Sequence, residues 1–160
     1  MQLRNQGPWL LAASILLIVS MLVGACASGA GSAKKVKIGV GAPITGTAAY
    51  DGQNIRDGVI LAVEMAKGKV PNLELAIEDD KSDPKEGAAI ANKFAGDGDL
   101  VAVVGHYNSS VTLAAAPILT KAGITQISPG SSSPKITGFS KFLFRTQPTD
   151  ETVGENIVRW

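Results

Sequence analysis

The stretch LVAVVGHYNSSVTLAAAPILTKAGITQI, residues 100–127, decides the fold. It begins with an unbroken apolar run, Leu100–Val104, which is typical of a central strand that is covered on both faces. A helical stretch follows over Ser109–Ala122, ends at Gly123, and leads into a second, short strand-like segment, Ile124–Ile127. A strand, a helix and a further strand in this order predict a parallel βαβ unit with a right-handed crossover.

The same alternation continues on both sides of this unit. Apolar alternation predicts further strands at Val36–Val40, Leu73–Ile77 and Phe142–Arg145. Helical spacing and helix-ending residues predict helices over Gln53–Lys67, from Asp83 to Gly96 and from about Thr149 onward. Strands that alternate with helices of this length indicate the α/β class, and we predict a doubly wound parallel sheet with the strand order 2-1-3-4-5.

Local signals predict how the helices begin and pack. The face of the first helix toward the sheet is predicted to carry apolar residues at helical spacing: Ile55, Val59, Ala62 and Ala66. Asp51 is positioned to cap the start of this helix. Asp83 and Glu86 form a capping box for the second helix, in which each side chain satisfies a backbone N–H group. Pro117 is expected to kink the third helix or to delay its start.

The first segment of the chain has the layout of an export signal. A polar start with one positive charge, Arg4, precedes an apolar run of about 15 residues, shorter than the roughly 20 that a membrane span needs. The run ends in Val23-Gly24-Ala25-Cys26, which resembles the lipobox of bacterial lipoproteins. We expect residues 1–25 to be a lipoprotein signal peptide, Cys26 to be the site of lipid attachment, and residues 26–34 to be a flexible tether.

Charge and cysteine content narrow the classes of function. The chain carries 15 Lys and Arg and 14 Asp and Glu, so removal of Arg4 with the signal leaves 14 of each and no net charge. A neutral chain lacks the positive field that attracts nucleic acids. The single cysteine, Cys26, excludes an internal disulfide framework and, once lipidated, leaves no thiol for metal binding or catalysis.

Loops at one edge of the predicted sheet share a distinctive chemistry. In a doubly wound sheet the ligand lies beyond the carboxyl ends of the strands, which places residues 41–50, 105–110 and 128–133 together. These loops are rich in glycine and hydroxyl groups and contain no Lys or Arg. Neutral hydrogen-bond donors and the positive end of the Ser109 helix suit a single carboxylate. Because no basic side chain balances its charge, the carboxylate is best placed on a ligand that carries its own cation, such as an amino acid. The alternative is that serine and glycine stand there only because turns favour them.

Four stretches of the chain resemble the periplasmic leucine/isoleucine/valine-binding protein family, the solute receptors of branched-chain amino acid ABC transporters. They are VKIGVGAPITGTAAYDGQNIRDGVILAVE (36–64), DDKSDPKEGAAIANKF (79–94), VAVVGHYNSSVTLAAAPILTKAGITQISPGSSSP (101–134) and FLFRTQPTDETVGENIV (142–158). The resemblance implies that residues 35–160 form the first lobe of a two-lobed, type I periplasmic binding protein. Because the chain stops inside a helical pattern, we expect this lobe to be incomplete and the second lobe to be absent.

The resemblance also implies a set of ligand-binding residues. In that family a serine at the start of the third helix and a hydroxyl residue after the fourth strand bind the ligand carboxylate, matching Ser109 and Ser132. A backbone carbonyl, matching Gly130, receives the ligand ammonium group, and an aromatic residue, matching Tyr50, covers the ligand. The family often has threonine where Ser132 stands, so a methyl contact is lost here. The acidic partner of the ammonium group lies in the second lobe.

Neighbouring residues on the same loops are candidates for a supporting role. Four residues are neighbours of the implied ligand residues in the sequence, and we expect them either behind those residues or at the rim of the site: His106, Tyr107, Asn108 and Ser131. His106 is the only histidine of the chain, and a lone histidine after a strand is usually a hydrogen-bonded structural residue, here able to brace the Ser109 turn. The acidic cluster at residues 78–83 lacks the spacing of an EF-hand loop, and we expect it to be a solvated strand end.

An enzyme is the weaker interpretation of this sequence. Gly39 and Gly41 follow a strand, but Ile44 stands where a dinucleotide-binding motif has its third glycine. No G-x-S-x-G motif occurs, and a hydrolase needs a base and an orienting group beside its nucleophile. We therefore expect a protein without catalytic residues, cofactor or metal.

The sequence as a whole predicts a lipid-anchored receptor in the periplasm or at the cell surface. Such a receptor would bind a branched-chain or related amino acid for import and deliver it to an ABC permease, and it would not bind nucleic acid. The alternative is a receptor with the same fold that binds amides, urea-like compounds or aromatic solutes and acts in transport or in ligand sensing.

Overall fold

The computed structural model describes residues 35–160, so the predicted signal peptide, Cys26 and tether lie outside the described residues. The strands are β1 (Val36–Ala42), β2 (Leu73–Asp79), β3 (Leu100–Gly105), β4 (Thr125–Ser128) and β5 (Leu143–Arg145). The helices are α1 (Ala49–Ala66), α2 (Pro84–Ala95), α3 (Ser109–Ala122) and α4 (Asp150–Val158), and a 3₁₀ turn spans Pro134–Ile136. Within residues 35–160, no helix combines the length and the apolar character that crossing a membrane requires.

The strands form one parallel sheet in the order β2-β1-β3-β4-β5, which confirms the predicted fold class and strand order. The chain moves from β1 outward to β2, and then back across β1 to β3. Helices α2 and α3 pack together on one face of the sheet, and the right-handed crossovers that parallel strands favour place α1 on the other. All strands point the same way, so the loops after β1, β3 and β4 emerge at one edge.

The main core lies between the sheet and the pair α2 and α3. Its buried members are Ile90, Ala91, Phe94, Leu100, Val103, Ala115, Leu119 and Ile124. Phe94 lies directly against β1, because a Cβ atom on Gly39 would sit only 2.9 Å from Cε2 of its ring. Side chains of β3, with Ile124 just before β4, thus pack on two helices whose first turns face the loop-bearing edge of the sheet.

The start and the inner face of α1 differ from the prediction. The helix begins at Ala49 after the cap residue Ala48, which has no side-chain cap, so the expectation that Asp51 caps it is wrong. Asp51 lies instead in the first helical turn, where a carboxylate interacts favourably with the helix dipole. Ile55 and Val59 are half-buried as expected, but Ala62 is exposed and Val63 is buried in its place.

The other helix ends follow the predicted signals more closely. Oδ1 of Asp83 accepts the N–H of Lys85 at 2.8 Å and caps α2. The reciprocal bond expected from Glu86 is wrong, because the N–H of Asp83 donates to the carbonyl of Asp80 at 2.7 Å. Helix α3 begins at Ser109 and continues through Pro117, so the proline does not delay its start.

Candidate functional site

Three loops meet at the carboxyl edge of the sheet and form the candidate site. We name them the β1 loop (residues 43–48), the β3 loop (residues 106–108) and the β4 loop (residues 129–133). The N–H of Ser133 donates to Oγ of Ser109 at 3.2 Å, which joins the β4 loop to the start of α3. The carboxylate of Asp51, in the first turn of α1, lies near enough to the Tyr107 hydroxyl of the β3 loop to raise the pKa of that hydroxyl.

The start of α3 offers an electropositive, uncapped helix end. Asn108 is the cap residue, and its side chain makes no capping hydrogen bond to the helix. No acidic residue occupies the first turn of α3, so no carboxylate on the helix itself offsets the positive end of its dipole. Within residues 35–160, Oδ1 of Asn108 is a buried oxygen without a hydrogen-bond partner. Ser109, half-buried as the first helical residue, therefore lies where a small anion is electrostatically favoured.

The β4 loop packs tightly against the β3 loop. A Cβ atom on Gly130 would lie 2.2 Å from Cδ2 of Tyr107, so only glycine allows the ring to rest on the backbone at this point. Burial raises the pKa of the Tyr107 hydroxyl, and the nearby carboxylate of Asp51 raises this pKa further. The carbonyl of Ser132 accepts the N–H of Asp150 at 3.0 Å, which connects the β4 loop to the start of α4.

The four residues that the resemblance assigned to the ligand are not equally buried. Ser109, Gly130 and Ser132 are half-buried around the junction of the β3 and β4 loops. Tyr50 is the second residue of α1, and its side chain is 79% exposed. A ring this exposed is accessible to a ligand or to chain outside residues 35–160.

Two of the supporting residues are not at the rim of the site. His106 and Ser131 are completely buried, whereas Tyr107 and Asn108 are half-buried. Nδ1 of His106 lies 2.7 Å from Oδ2 of Asp80, which is also completely buried. The expectation of a solvated strand end is therefore wrong at Asp80, because this carboxylate is paired with the histidine inside the fold.

Asp79, which the sequence analysis placed only in the acidic cluster at residues 78–83, has a structural role in the β1 loop. Its Oδ1 accepts the N–H groups of Ile44, Thr45 and Lys81, and its Oδ2 accepts the hydroxyl of Thr45 at 2.5 Å. Burial raises the pKa of Asp79, but the four hydrogen bonds outweigh it and hold the pKa below its usual range. Asp79 thereby shapes the β1 loop, and its only sequence signal is a carboxylate at the end of an edge strand.

Arg145 is a second residue that was missed. It ends β5, and its Nη1 donates to the carbonyl of Ser133 at 2.8 Å, while Nη2 donates to the hydroxyl of Thr137. The three loops contain no Lys or Arg, but the guanidinium group of Arg145, at the end of β5, is hydrogen-bonded to the β4 loop. No group of three or more His, Cys, Asp or Glu residues within 35–160 is arranged to hold a metal ion.

The three loops therefore present backbone groups and hydroxyls at one edge of the sheet. A profile of the periplasmic binding protein family matches residues 35–160. The Leu/Ile/Val-binding protein homolog 2 of Brucella abortus is 37% identical over 145 residues, which cover 84% of this chain and 39% of that protein. The chain thus spans 39% of the length of this curated relative.

Solved structures share the fold. The substrate-binding protein of a branched-chain amino acid transporter from Streptococcus pneumoniae, solved with isoleucine, superposes with a TM-score of 0.69 at 30% identity. The match covers 73% of this chain and 35% of that one. A solute-binding protein of an ABC transporter from Rhodopseudomonas palustris, solved with 4-hydroxybenzoate, gives a TM-score of 0.65 at 26% identity, covering 72% and 32%. This chain belongs to the periplasmic binding proteins, within the leucine/isoleucine/valine-binding family, and residues 35–160 form an N-terminal portion of that fold.

Proposed function

We propose that this chain is the first lobe of an extracytoplasmic receptor that binds a branched-chain or related α-amino acid for an ABC importer. The observation that carries the proposal is the junction of the β3 and β4 loops, where the N–H of Ser133 meets the hydroxyl of Ser109 at the uncapped start of α3. A carboxylate is the ligand group that such a junction suits, because its donors are neutral and the helix end is positive.

Each end of an amino acid has a suitable partner in this arrangement. The N–H and hydroxyl of Ser109, with the hydroxyl of Ser132, would receive the carboxylate. The carbonyl of Gly130 would accept the ammonium group, and the exposed ring of Tyr50 would cover the ligand. All of these protein groups are neutral, so a zwitterion suits them better than an anion without its own cation.

The remaining contacts must come from outside residues 35–160. The chain spans 39% of its curated relative, and closure of a second lobe would exclude water and complete the ligand shell. We expect an isolated first lobe to bind weakly and the two-lobed protein to bind tightly. Binding and delivery to a permease involve no covalent chemistry, so we assign no enzymatic activity.

The N-terminal segment supports placement outside the cytoplasm. Residues 1–25 are assigned as a lipoprotein signal peptide, Cys26 as the lipidated residue and residues 26–34 as a tether. A lipid on Cys26 would hold the receptor at the membrane surface, close to permease subunits, as a periplasmic or cell-surface lipoprotein.

A ligand panel on the full-length protein tests the substrate class. We expect leucine, isoleucine or valine to raise the melting temperature by several degrees, as any ligand that binds only the folded state does. A panel in which no amino acid shifts the melting temperature contradicts the proposal. Stabilisation by 4-hydroxybenzoate alone would favour the aromatic alternative, which one relative supports by its bound ligand.

Serine substitutions test the site itself. Ser109→Ala should weaken binding of the preferred amino acid by about 1–3 kcal/mol, roughly 5- to 150-fold, because a hydrogen bond to the ligand's charged carboxylate is lost. Ser110→Ala is the matched control, since Ser110 follows in the same helix and is exposed. Calorimetric titration that gives equal affinities for both variants would remove Ser109 from the site.

A further inference from the structure

Six polar side chains are completely buried in the part of the chain that the structure describes: Asp80, His106, Thr112, Gln126, Ser128 and Ser131. They come from distant parts of the sequence, yet the five residues other than His106 all lie within hydrogen-bond distance of the two-residue segment Gly105–His106. We name these six residues the His106 network. Their convergence on one segment, directly after the central strand β3, calls for a physical explanation.

The ring of His106 attaches the segment to the other half of the sheet. Its Nδ1 lies 2.7 Å from Oδ2 of Asp80. Asp80 is held in turn, because its N–H donates to the carbonyl of Ala42 at 3.0 Å and its Oδ1 accepts the N–H of Ser82 at 2.9 Å. The ring also lies against β1, since a Cβ atom on Gly41 would sit 2.5 Å from its Cε1. The ends of β1 and β2 therefore fix the orientation of His106.

The carbonyl of His106 attaches the segment to the candidate site. It accepts the hydroxyl of Thr112 at 2.9 Å and the hydroxyl of Ser128 at 2.6 Å. Oγ of Ser128 also accepts the N–H of Ser131 at 3.1 Å. The hydroxyl of Ser131 lies within hydrogen-bond distance of the hydroxyl of Thr112, at 2.8 Å, and of the carbonyl of Tyr107, at 3.0 Å, and its single proton can be donated to one of them at a time. Helix α3 and the β4 loop are thus bonded to one oxygen atom.

Glycine is required at the centre of this arrangement. Gly105 has φ of 136°, and a Cβ atom there would lie 2.0 Å from the carbonyl oxygen of Gly41. The side-chain amide of Gln126 donates to the carbonyl of Gly105 at 3.1 Å. The backbone at the end of β3, which leads into the candidate site, is therefore in contact with β1 on one side and with β4 on the other.

Stability alone does not explain why these groups are buried. Burying polar groups costs free energy that their hydrogen bonds only offset, and apolar residues of similar size often stabilise a core as well or better. Directional bonds do confer one advantage: they fix the distance between the elements that they join. Here the joined elements are α3, which begins with Ser109, and the β4 loop, which carries Gly130 and Ser132.

We propose that the His106 network is a positioning device, which sets the separation of Ser109 from the β4 loop so that both can hold one ligand carboxylate. This inference rests on the proposed function. None of the six residues needs to touch the ligand, because all are buried beneath the residues that would. Thr112 is the most direct test, since it lies one helical turn after Ser109 and bonds to both His106 and Ser131.

The chain offers a matched pair of threonines in α3. The hydroxyl of Thr112 joins the network, whereas that of Thr120, near the other end of the helix, donates to Oγ of Ser140 at 2.9 Å. In the full-length protein, Thr112→Val and Thr120→Val should both lower the melting temperature by a few degrees. Only Thr112→Val should raise the leucine Kd, by about tenfold or more, because only that bond positions the site.

Rescue by a conservative variant separates positioning from general destabilisation. Thr112→Ser keeps the hydroxyl and should restore the leucine Kd to within about threefold of the wild type, as expected when one hydrogen bond carries the effect. Equal Kd values for Thr112→Val and Thr120→Val would overturn the proposal. So would a Thr112→Ser variant that binds leucine no better than Thr112→Val.

A measurement made without ligand tests the positioning role whatever the ligand is. Amide hydrogen exchange followed by mass spectrometry should show faster exchange in peptides covering 105–112 and 128–134 for Thr112→Val, but not for Thr120→Val. Exchange that is unchanged in both peptides would overturn the positioning role even if leucine binds. If the wild type binds no amino acid while exchange responds as expected, the proposed function fails and the structural part of this inference stands.

Discussion

The close packing of Gly130 on Tyr107 gives a sharp steric test of the candidate site. In Gly130→Ala the added Cβ would lie 2.2 Å from Cδ2 and 2.5 Å from Cε2 of the ring. Carbon atoms rest about 3.5–4.0 Å apart, so the ring or the β4 loop must move by about 1.3 Å or more. The φ angle of Gly130 is one that alanine also adopts, so the contact with the ring is the whole effect.

Neither partner can move without losing other interactions. The ring of Tyr107 is half-buried and packs on the Gly130 backbone, while the β4 loop is bonded to α4 and Arg145. Overpacking of this kind costs about 1–3 kcal/mol in the free energy of unfolding. A shift of about 1.3 Å also moves the Gly130 carbonyl out of the 2.7–3.2 Å range of a good hydrogen bond, so amino acid binding should fall at least about tenfold.

The assay combines denaturant unfolding with calorimetric titration of leucine on the full-length protein. Gly58→Ala is the control, because a Cβ at Gly58 in α1 meets no atom within 4 Å. That change should leave binding unaltered and stabilise the helix by about 0.5–1 kcal/mol. Adding Tyr107→Ala to Gly130→Ala removes the clash, so the double variant should bind better than Gly130→Ala alone. The reasoning is refuted if Gly130→Ala unfolds and binds leucine like the wild type. It is also refuted if the effects of Gly130→Ala and Tyr107→Ala on stability and binding simply add in the double variant.

Two further predictions concern the β1 loop and the anchor. Because hydrogen bonds lower the pKa of Asp79 below the unfolded value of 3.8, its stabilisation is fully present above that value and is lost as the pH falls through the folded pKa. Asp79→Asn should therefore lower the free energy of unfolding, measured in urea at pH 7, by about 1–3 kcal/mol. The difference from the wild type should shrink below about pH 4, and a constant difference down to about pH 3 would contradict this prediction. Cys26→Ala should release the protein from the membrane fraction, and continued association with membranes would exclude lipid attachment at Cys26.

The fold was predictable because its signals are local. The apolar run of β3, the Asp83 cap and the helix-ending Gly123 each act within a few residues, and the handedness of crossovers then restricts the strand order. The error at α1 has the same origin. Ala48 and Ala49 carry no capping side chain, so the true helix start left no mark in the sequence, and the nearest capping residue, Asp51, was chosen instead.

The residues that organise the site were predictable only in part. The loops themselves follow from the rule that ligands lie at the carboxyl ends of parallel strands, which needs only the strand order. The pairing of His106 with Asp80 joins residues 26 apart in sequence, and Asp80 alone resembles any solvent-exposed carboxylate. Ser131 and Ser132 are neighbours of identical type, yet one is buried and the other half-buried. Burial of this kind depends on tertiary packing, which composition and periodicity do not encode.

The neutrality of the loops and the buried polar network have one physical explanation. Attraction between charges declines gradually with distance, so a lysine tolerates some error in position. Neutral hydrogen bonds weaken steeply when distance or angle departs from the optimum, so a site made of hydroxyls and backbone groups must be held rigidly. Thr112, Ser128 and Ser131 meet this need by joining α3 and the β4 loop at the carbonyl of His106. A receptor that omits basic residues from its loops therefore needs polar groups in its core, where they cost stability but preserve the geometry on which affinity depends.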